Sequence, residues 1–238
     1  MTEKKGNLFL LPVTLDDATE PSSVLAGDAL KAAHELKLFL AENEKSARHF
    51  LKKAGTKWPL PEIKLFSMGK HGDESDIDLF IREIENGNDG GIISEAGCPA
   101  IADPGSVAVK KAHEKNIRVV PLTGPSSILL ALMSSGFSGQ RFRFHGYLPI
   151  DKNEKARALK SIERAVAEKD ETQIFIETPF RNNQLMDDLL RVLDASTMLC
   201  VACDLTSARE FVRTKRVSEW KKQKPDLHKR PAVFLVGK

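Results

Sequence analysis

The 238-residue sequence is poor in cysteine, with only Cys98, Cys200 and Cys203. An odd set of three gives no paired disulfide framework, which favours a reducing compartment. Cys200 and Cys203 form a C-x-x-C, but no second pair and no histidine at ligand spacing completes a zinc site. Both lie in the apolar run MLCVAC, so we predict that they are core residues.

Long hydrophobic runs are also missing, since nowhere do eighteen apolar residues follow one another. The apolar stretch near the N-terminus is too short for a secretion signal, so we predict a cytoplasmic protein without a membrane segment. The formal charge of +3 is too small to establish nucleic-acid binding. The basic residues concentrate in RTKR (213–216) and KKQKPDLHKR (221–230), which form either a phosphate-binding surface or a solvated face.

Several catalytic motifs are absent. No G-x-G-x-x-G follows the first apolar run, which disfavours a Rossmann dinucleotide site, and no G-x-x-x-x-G-K-[ST] phosphate loop occurs. A G-x-S-x-G elbow and an H-E-x-x-H helix are missing too, and the six histidines are scattered. We therefore predict no metal centre and no hydrolase of these classes.

Short apolar runs alternate with amphipathic helical patterns through the first half of the chain. This alternation predicts an α/β fold with parallel strands and helices on both faces. After SILLALMSSGF the pattern changes to a second α/β unit that ends in strands, two of which can pair as a hairpin. We predict domains at 1–122 and 123–238. The predicted strands of the first domain are LFLLPV (8–13), LKLFLAE (36–42), IKLFSM (63–68), GGIIS (90–94) and IRVVPL (117–122).

Two loops in this pattern have the composition of ligand-binding segments. ISEAGCPAIADPGS (93–106) follows a buried strand, and its small residues let a ligand approach the backbone where open α/β sheets bind ligands. Asp103 and Pro104 are also a good helix start, with Asp103 as the cap. In the second segment, Gly124 and Pro125 turn the chain into a helix that Gly136 can end. A plain strand-to-helix connection remains the alternative for both.

The segments ISEAGCPAIADPGS, IRVVPLTGPSSILLALMSSGF and RFHGYLP form a linked set. Together they resemble the tetrapyrrole methylase superfamily, and within it the ribosomal small-subunit RNA ribose 2′-O-methyltransferase family. The likeness continues through IFIETPFR, CDLTSARE and the closing AVFLVGK, so it covers nearly the whole chain.

The resemblance implies an S-adenosylmethionine-dependent methyltransferase of two α/β domains, with the cofactor in the cleft between them and a homodimer as the assembly. Methyl transfer by in-line displacement depends chiefly on positioning and on a sulfonium charge, and it needs no metal. A base that takes a ribose hydroxyl proton would be Glu42, Lys45 or Glu210. Matched by position, the implied cofactor residues are Pro12, Ser94, Glu95, Ala96, Gly97, Pro99, Asp103, Gly124 and Pro125.

This chain departs from the family pattern mainly at positions expected to face the substrate. The first loop, LPVTLDD, keeps a proline at Pro12 but lacks the Gly-Asn pair of the family. The other departures are Asn43 for an acid, Lys45 for an arginine, Phe180 for a histidine, Cys203 for an arginine, Asp204 for a glutamate and Ser207 for a lysine.

Other side chains near the expected substrate have two interpretations. Glu177 and Arg181 either pair at a helix start or contact the substrate. Lys152 and Arg157 either solvate a helix or bind phosphates. Tyr147 lies in a strand-like run and is predicted to pack, although it could form an aromatic wall.

Three functions fit these observations. The first is a ribosomal RNA ribose methyltransferase, with a cleft mouth bordered by Arg213, Lys215, Arg216, Lys221, Lys222 and Lys229. The second is a methyltransferase for a small molecule such as a tetrapyrrole, which a broad apolar groove would favour. The third is a cofactor-binding or RNA-binding protein that has lost catalysis.

Overall fold

The computed structural model describes residues 4–68 and 74–238. The chain divides into two compact units, Met1–Ser126 and Ser127–Lys238. Each unit contains one five-stranded sheet. No helix in the described part of the chain is both long and apolar enough to span a bilayer.

The sheet of the first unit is entirely parallel, with strand order β3-β2-β4-β1-β5. The parallel arrangement confirms the prediction made from the alternating pattern. β1 and β4 lie inside the sheet, so the loops that follow them begin near the middle of its carboxyl edge. The strands are β1 (Asn7–Leu10), β2 (Leu38–Ala41), β3 (Lys64–Ser67), β4 (Gly90–Ile93) and β5 (Arg118–Pro121).

Both faces of this sheet are covered, which explains why its strands are apolar at consecutive positions. In β2, Leu38 and Leu40 join one buried cluster, whereas Phe39 and Ala41 join the cluster on the other face. The first cluster includes residues of α4 and α5, and the second includes residues of α2 and α3. The helices are α1 (Pro21–Val24), α2 (Gly27–Glu35), α3 (Glu44–Lys53), α4 (Glu74–Glu85) and α5 (Ser106–Glu114), with a 3-10 turn at Leu60–Glu62.

The second unit has a mixed sheet of order β6-β7-β10-β8-β9, in which β6 and β7 are parallel and the other neighbours are antiparallel. β8 and β9 form the predicted hairpin. β6, β7 and β8 therefore end on the side of this sheet where β9 and β10 begin. We call this side, which is formed by the ends of strands, the β7 edge. The strands are β6 (Phe142–Tyr147), β7 (Thr172–Ile176), β8 (Met198–Cys203), β9 (Phe211–Arg216) and β10 (Ala232–Gly237).

Four helices pack on the second sheet. α7, α8 and α9 share one core cluster with Phe175, Val201 and Phe234 of the strands. α6 packs against β8, β9 and β10, and the hydroxyl of Thr214 donates to the carbonyl of Ser135 at the end of α6 over 2.6 Å. The helices are α6 (Ser127–Ser135), α7 (Lys152–Lys169), α8 (Asn182–Val192) and α9 (Val217–Lys222).

The two cysteines of the C-x-x-C are fully buried, which confirms that they are core residues. Side chains alternate along a strand, so Cys200 and Cys203 point to opposite faces of β8 and cannot share a ligand. Burial raises the pKa of both thiols to about 11. Neither is therefore a reactive thiolate near neutral pH.

Candidate active site

Three loops of the first unit meet at the carboxyl edge of its sheet. The amide of Leu11, just after β1, donates to the carbonyl of Ile92 in β4 over 3.0 Å, and the amide of Leu122, just after β5, donates to Leu10 over 3.2 Å. Beyond the strands, the amide of Val13 donates to the carbonyl of Gly97 over 2.9 Å. The predicted cofactor residues that follow β1, β4 and β5 are thus held together by backbone hydrogen bonds within one unit.

Two glycines allow these loops to approach one another. A Cβ atom on Gly124 would lie 2.3 Å from Cγ of Pro12, and a ring carbon cannot move aside as the end of a flexible side chain can. Gly97 has φ +72, and a Cβ there would lie 3.3 Å from the carbonyl oxygen of Pro125. The loops after β1, β4 and β5 therefore meet at positions where a side chain does not fit.

The loop between β4 and α5 also holds two alanines in left-handed backbone, Ala100 at φ 65 and Ala102 at φ 61. This conformation costs about 1–3 kcal/mol at a residue other than glycine, and it concentrates at functional sites. Asp103 offsets part of this cost, because its Oδ1 accepts hydrogen bonds from the amides of Ala100 and Gly105, both over 2.8 Å. The loop is thus a fixed structure rather than a loose connection.

The predicted helix cap at Asp103 is wrong. α5 begins at Ser106, its N-cap residue is Gly105, and no side chain caps it. Pro104 accordingly lies in the preceding turn and is not the first helical residue. The carboxylate of Asp103 instead ties the loop to itself, as described above.

The second oxygen of the same carboxylate, Oδ2 of Asp103, is buried without a hydrogen-bond partner. Burial raises the pKa of the Asp103 carboxyl above its usual value, against the lowering by its two backbone hydrogen bonds. Buried polar atoms are nearly always paired in proteins. Oδ2 of Asp103 is therefore an acceptor with capacity for a further donor.

Of the three predicted catalytic residues, Glu42 contacts this loop directly. It follows β2, which neighbours β4, and its Oε2 accepts a hydrogen bond from the amide of Glu95 over 3.3 Å. Ser94 is buried, and its hydroxyl donates to the carbonyl of Ala96 over 3.4 Å. Lys45 is exposed in the first turn of α3.

Asn43, which replaces an acid of the family pattern, is the N-cap of α3. Its side chain accepts a hydrogen bond from the amide of Ser46 over 3.1 Å. Asparagine is among the best N-cap residues, so capping accounts for this departure.

Cys98 lies in the middle of the β4 loop and is partly buried. Its Sγ is 3.5 Å from the carbonyl oxygen of Pro125, to which it donates. Burial raises the pKa of the Cys98 thiol, so this residue is protonated near neutral pH. It acts as a small packing residue between two loops and does not supply a nucleophile.

Glu210, the third predicted catalytic residue, belongs to the second unit. It is exposed in the loop between β8 and β9, and its carboxylate accepts a hydrogen bond from the amide of Thr206 over 2.7 Å. Asp204 and Thr206 in the same loop have φ values of 48 and 68. Glu210 thus stabilises a strained loop at the β7 edge.

An ion pair that the sequence did not reveal holds the same loop. Asp204 is buried, and its Oδ2 lies 2.8 Å from Nε of Arg230, which precedes β10. The guanidinium of Arg230 also donates to the carbonyl of Arg209 over 3.1 Å. The only sequence signal was that Asp204 departs from the family pattern.

Glu177 and Arg181 form a pair at the start of α8, with 2.6 Å between Oε1 and a guanidinium nitrogen. Glu177 is buried, and the same oxygen accepts a hydrogen bond from the amide of Thr178 over 2.7 Å. This geometry agrees with the pairing interpretation. Tyr147 is 54% exposed, so the prediction that it packs in the core is wrong.

A cavity of about 840 Å³ in the first unit lies mostly at the other end of the strands, although Leu122 of the loop after β5 also lines it. It is lined at the amino ends of the strands by Lys37, Leu38, Lys64 and Asp89, among others. None of the nine predicted cofactor residues lines it. Open parallel sheets bind ligands at the carboxyl ends of their strands, so we do not assign the reaction to this cavity.

Within residues 4–68 and 74–238, no group of three or more His, Cys, Asp or Glu side chains is placed to hold a metal ion. The site is instead made of backbone, small residues and isolated carboxylates. These groups suit a ligand that carries positive charge and hydrogen-bond donors.

Comparison with known protein families shows to which family this chain belongs. The family model described as Tetrapyrrole (Corrin/Porphyrin) Methylases matches residues 17–220. The chain belongs to this family. It is therefore a methyltransferase, and S-adenosylmethionine is its methyl donor.

Relatives of this tetrapyrrole methylase align over nearly its whole length. "Ribosomal RNA small subunit methyltransferase I" of Haemophilus influenzae is 28% identical over 99% of this chain and 80% of the relative. The protein of the same name from Escherichia coli O157:H7 is 28% identical over 98% of this chain and 78% of the relative.

A solved structure has the same fold. Uroporphyrin-III C-methyl transferase from Thermus thermophilus, complexed with S-adenyl homocysteine, matches with a TM-score of 0.59 at 16% identity, over 98% of each chain.

A test of this site is Gly97→Leu, which places a side chain against Leu15 and the Pro125 carbonyl. We expect calorimetry to show no binding of S-adenosylhomocysteine to this variant, because the leucine fills the space where the loops approach. The control is Gly136→Leu, since Gly136 has φ +80 and open space around it. Both variants pay the left-handed backbone cost of about 1–2 kcal/mol. Cofactor affinity of Gly97→Leu equal to that of the parent would contradict this location.

Proposed function

We propose that this protein transfers the methyl group of S-adenosylmethionine to a ribose 2′-hydroxyl of small-subunit ribosomal RNA. The main support for RNA as the substrate is an alignment over 98–99% of the chain with relatives named Ribosomal RNA small subunit methyltransferase I. Uroporphyrin-III methylation is named for a solved structure at 16% identity, and a likeness of that degree supports the fold alone. A ribosomal substrate also favours a cytoplasmic location.

We propose that the loops after β1, β4 and β5 of the first unit hold the cofactor. Support comes from the contact of Gly124 with Pro12, the left-handed Gly97 and the unpartnered Oδ2 of Asp103. A sulfonium is a cation, and the hydroxyl and ammonium groups of the same molecule are donors, so carbonyl and carboxylate oxygens are its natural partners. The proposed set is Pro12, Ser94, Glu95, Ala96, Gly97, Pro99, Asp103, Gly124 and Pro125.

When bound, S-adenosylmethionine supplies an electrophilic methyl group for in-line displacement. The protein then has to position the ribose oxygen and accept its proton, and no metal is needed for either task. Glu42 is the preferred proton acceptor of the three candidates, because it follows β2 and contacts the β4 loop through the amide of Glu95. Lys45 and Glu210 remain candidates for contacting the RNA.

The function is tested with the purified protein, S-adenosylmethionine and small ribosomal subunits from cells that lack this gene. We expect mass spectrometry of the digested RNA to show one new 2′-O-methylated nucleoside, and Glu42→Gln to slow its formation about a hundredfold. A tetrapyrrole supplied in parallel should stay unmethylated. Methylation of the tetrapyrrole alone would support the small-molecule alternative, and activity on neither substrate would support a protein that has lost catalysis.

We also propose that the protein is a homodimer. On α6, Leu129 is 55% exposed and Met133 is 78% exposed, and residues four apart lie on one helix face. Exposed apolar faces of this kind commonly mark subunit interfaces.

Sedimentation at micromolar concentration should report twice the chain mass of 26.4 kDa. Met133→Glu should shift the protein to monomer, because a buried charge without a partner opposes association. The matched control is Leu79→Glu, because Leu79 is 46% exposed and lies on a different helix, α4. A parent protein that sediments as a monomer would contradict the homodimer.

The six basic residues expected along one cleft mouth do not form one cluster. Lys215 and Arg216 lie at the end of β9, whereas Lys229 precedes β10 and lies at the β7 edge, at the other end of the strands. A strand of six residues separates these ends by about 20 Å. The RNA-binding surface therefore has to be tested in separate parts.

Replacing Lys215 and Arg216 together by alanine should weaken RNA binding and reduce its salt dependence. Each lost phosphate contact lowers the slope of log affinity against log salt by roughly 0.7 to 0.9. The control is Lys110→Ala with Lys115→Ala, which removes two charges from α5 and the residue after it. An unchanged slope in the Lys215 and Arg216 variant, measured by fluorescence anisotropy with small-subunit RNA, would remove this run from the RNA-binding surface.

A further inference from the structure

The β7 edge presents an aromatic ring to solvent. Phe180, in the turn between β7 and α8, is 70% exposed. Tyr147, which pairs with Ile176 at the ends of β6 and β7, is the exposed tyrosine described above. Neither ring contributes to the core cluster of the second unit. In the described part of the chain, both rings are therefore among the exposed large hydrophobic side chains and are available to a ligand.

The turn that carries Phe180 is held in place. The amide of Arg181 donates to the carbonyl of Thr178 over 2.8 Å, and the buried carboxylate of Glu177 binds both the amide of Thr178 and the guanidinium of Arg181. The amide of Lys229 donates to the carbonyl of Pro179 over 3.0 Å. The ring is thus presented on a backbone that is fixed on both sides.

A cation accompanies this ring. Nζ of Lys229 lies 5.8 Å from the centroid of Phe180, and Lys229 itself has left-handed backbone at φ 56. Lysine rarely adopts this conformation, so the surrounding contacts hold it there. Arg209, in the loop between β8 and β9, adds an exposed guanidinium at the β7 edge, 3.7 Å from the carboxylate of Asp204. The surface combines flat apolar faces with positive charge.

Unpaired RNA bases are recognised by this combination. A base stacks on an aromatic face while the neighbouring phosphate binds a cation, and each such stack contributes substantially to affinity without requiring a given base. A paired base cannot use it, because its faces are already covered within the duplex.

We propose that Phe180 is a stacking platform for an unpaired base of the RNA substrate, with Lys229 contacting a phosphate beside it. This stacking role rests on the proposed function and narrows the class of substrate. The RNA has to be single-stranded where it contacts the β7 edge. Phe180 is also a position where this chain carries a phenyl ring in place of the histidine of the family pattern.

The test compares Phe180→Ala, Phe180→Leu and Phe180→Trp by fluorescence anisotropy with a labelled oligoadenylate and with a labelled RNA duplex of equal length. We expect Phe180→Ala and Phe180→Leu to weaken binding of the single strand roughly tenfold and Phe180→Trp to retain it. Duplex binding and calorimetric S-adenosylhomocysteine binding should stay unchanged. The matched control is Phe142→Ala, because Phe142 is 42% exposed at the opposite end of β6.

Several outcomes would overturn the stacking role. These are equal losses for Phe180→Ala and Phe142→Ala, equal losses on single strand and duplex, or full single-strand affinity in Phe180→Leu. Steady-state methylation of small subunits separates this proposal from the function itself. If the parent methylates RNA and Phe180→Ala does so with unchanged KM, only the stacking role fails. If the parent neither binds nor methylates RNA, the proposed function fails and the stacking role fails with it.

Discussion

The first unit depends on close contacts of two glycines, Gly97 and Gly124, with neighbouring loops. At Gly124 the chain lies against the ring of Pro12, and at Gly97 it lies beside the carbonyl of Pro125. Because β1 lies between β4 and β5, these contacts connect the middle of the sheet to the loops that leave it. Chemistry that works by positioning a cofactor needs a rigid frame more than it needs reactive side chains. The composition of the loops follows from that requirement.

The second unit uses a different means of fixing its loops. Its β7 edge is held by ion pairs between residues distant in the sequence, such as Asp204 with Arg230, and by side chains that bind nearby amides, such as Glu177 and Glu210. Charged side chains can be exchanged in compensating pairs, whereas a glycine pressed against a proline ring cannot be exchanged at all.

Regular structure was predictable from the sequence where a periodic pattern decides it. The apolar runs at β2 and β4 predicted buried parallel strands, because a strand covered on both faces is apolar at consecutive positions. The loop after β4 was predicted as a ligand site from its small residues, but its internal structure was not. Alanine seldom adopts positive φ, so there was no reason in the sequence to predict left-handed backbone at Ala100 or Ala102. Asp103 was predicted to cap a helix that in fact begins at Ser106. The pairing of Asp204 with Arg230 was equally hidden, since it joins residues brought together only by the sheet.

The position of β1 inside the first sheet has a consequence for how the chain folds during synthesis. Leu8 pairs with Gly90 and Val119, so β1 has no partner until roughly eighty further residues have been made. At about 5–20 residues per second, that interval lasts roughly 4 to 16 seconds. Meanwhile β2 and β3 can pair with each other, because they are close in sequence. The segment NLFL therefore emerges before the other four strands of its sheet and stays unpaired for the longest time, with both of its edges open to incorrect pairing.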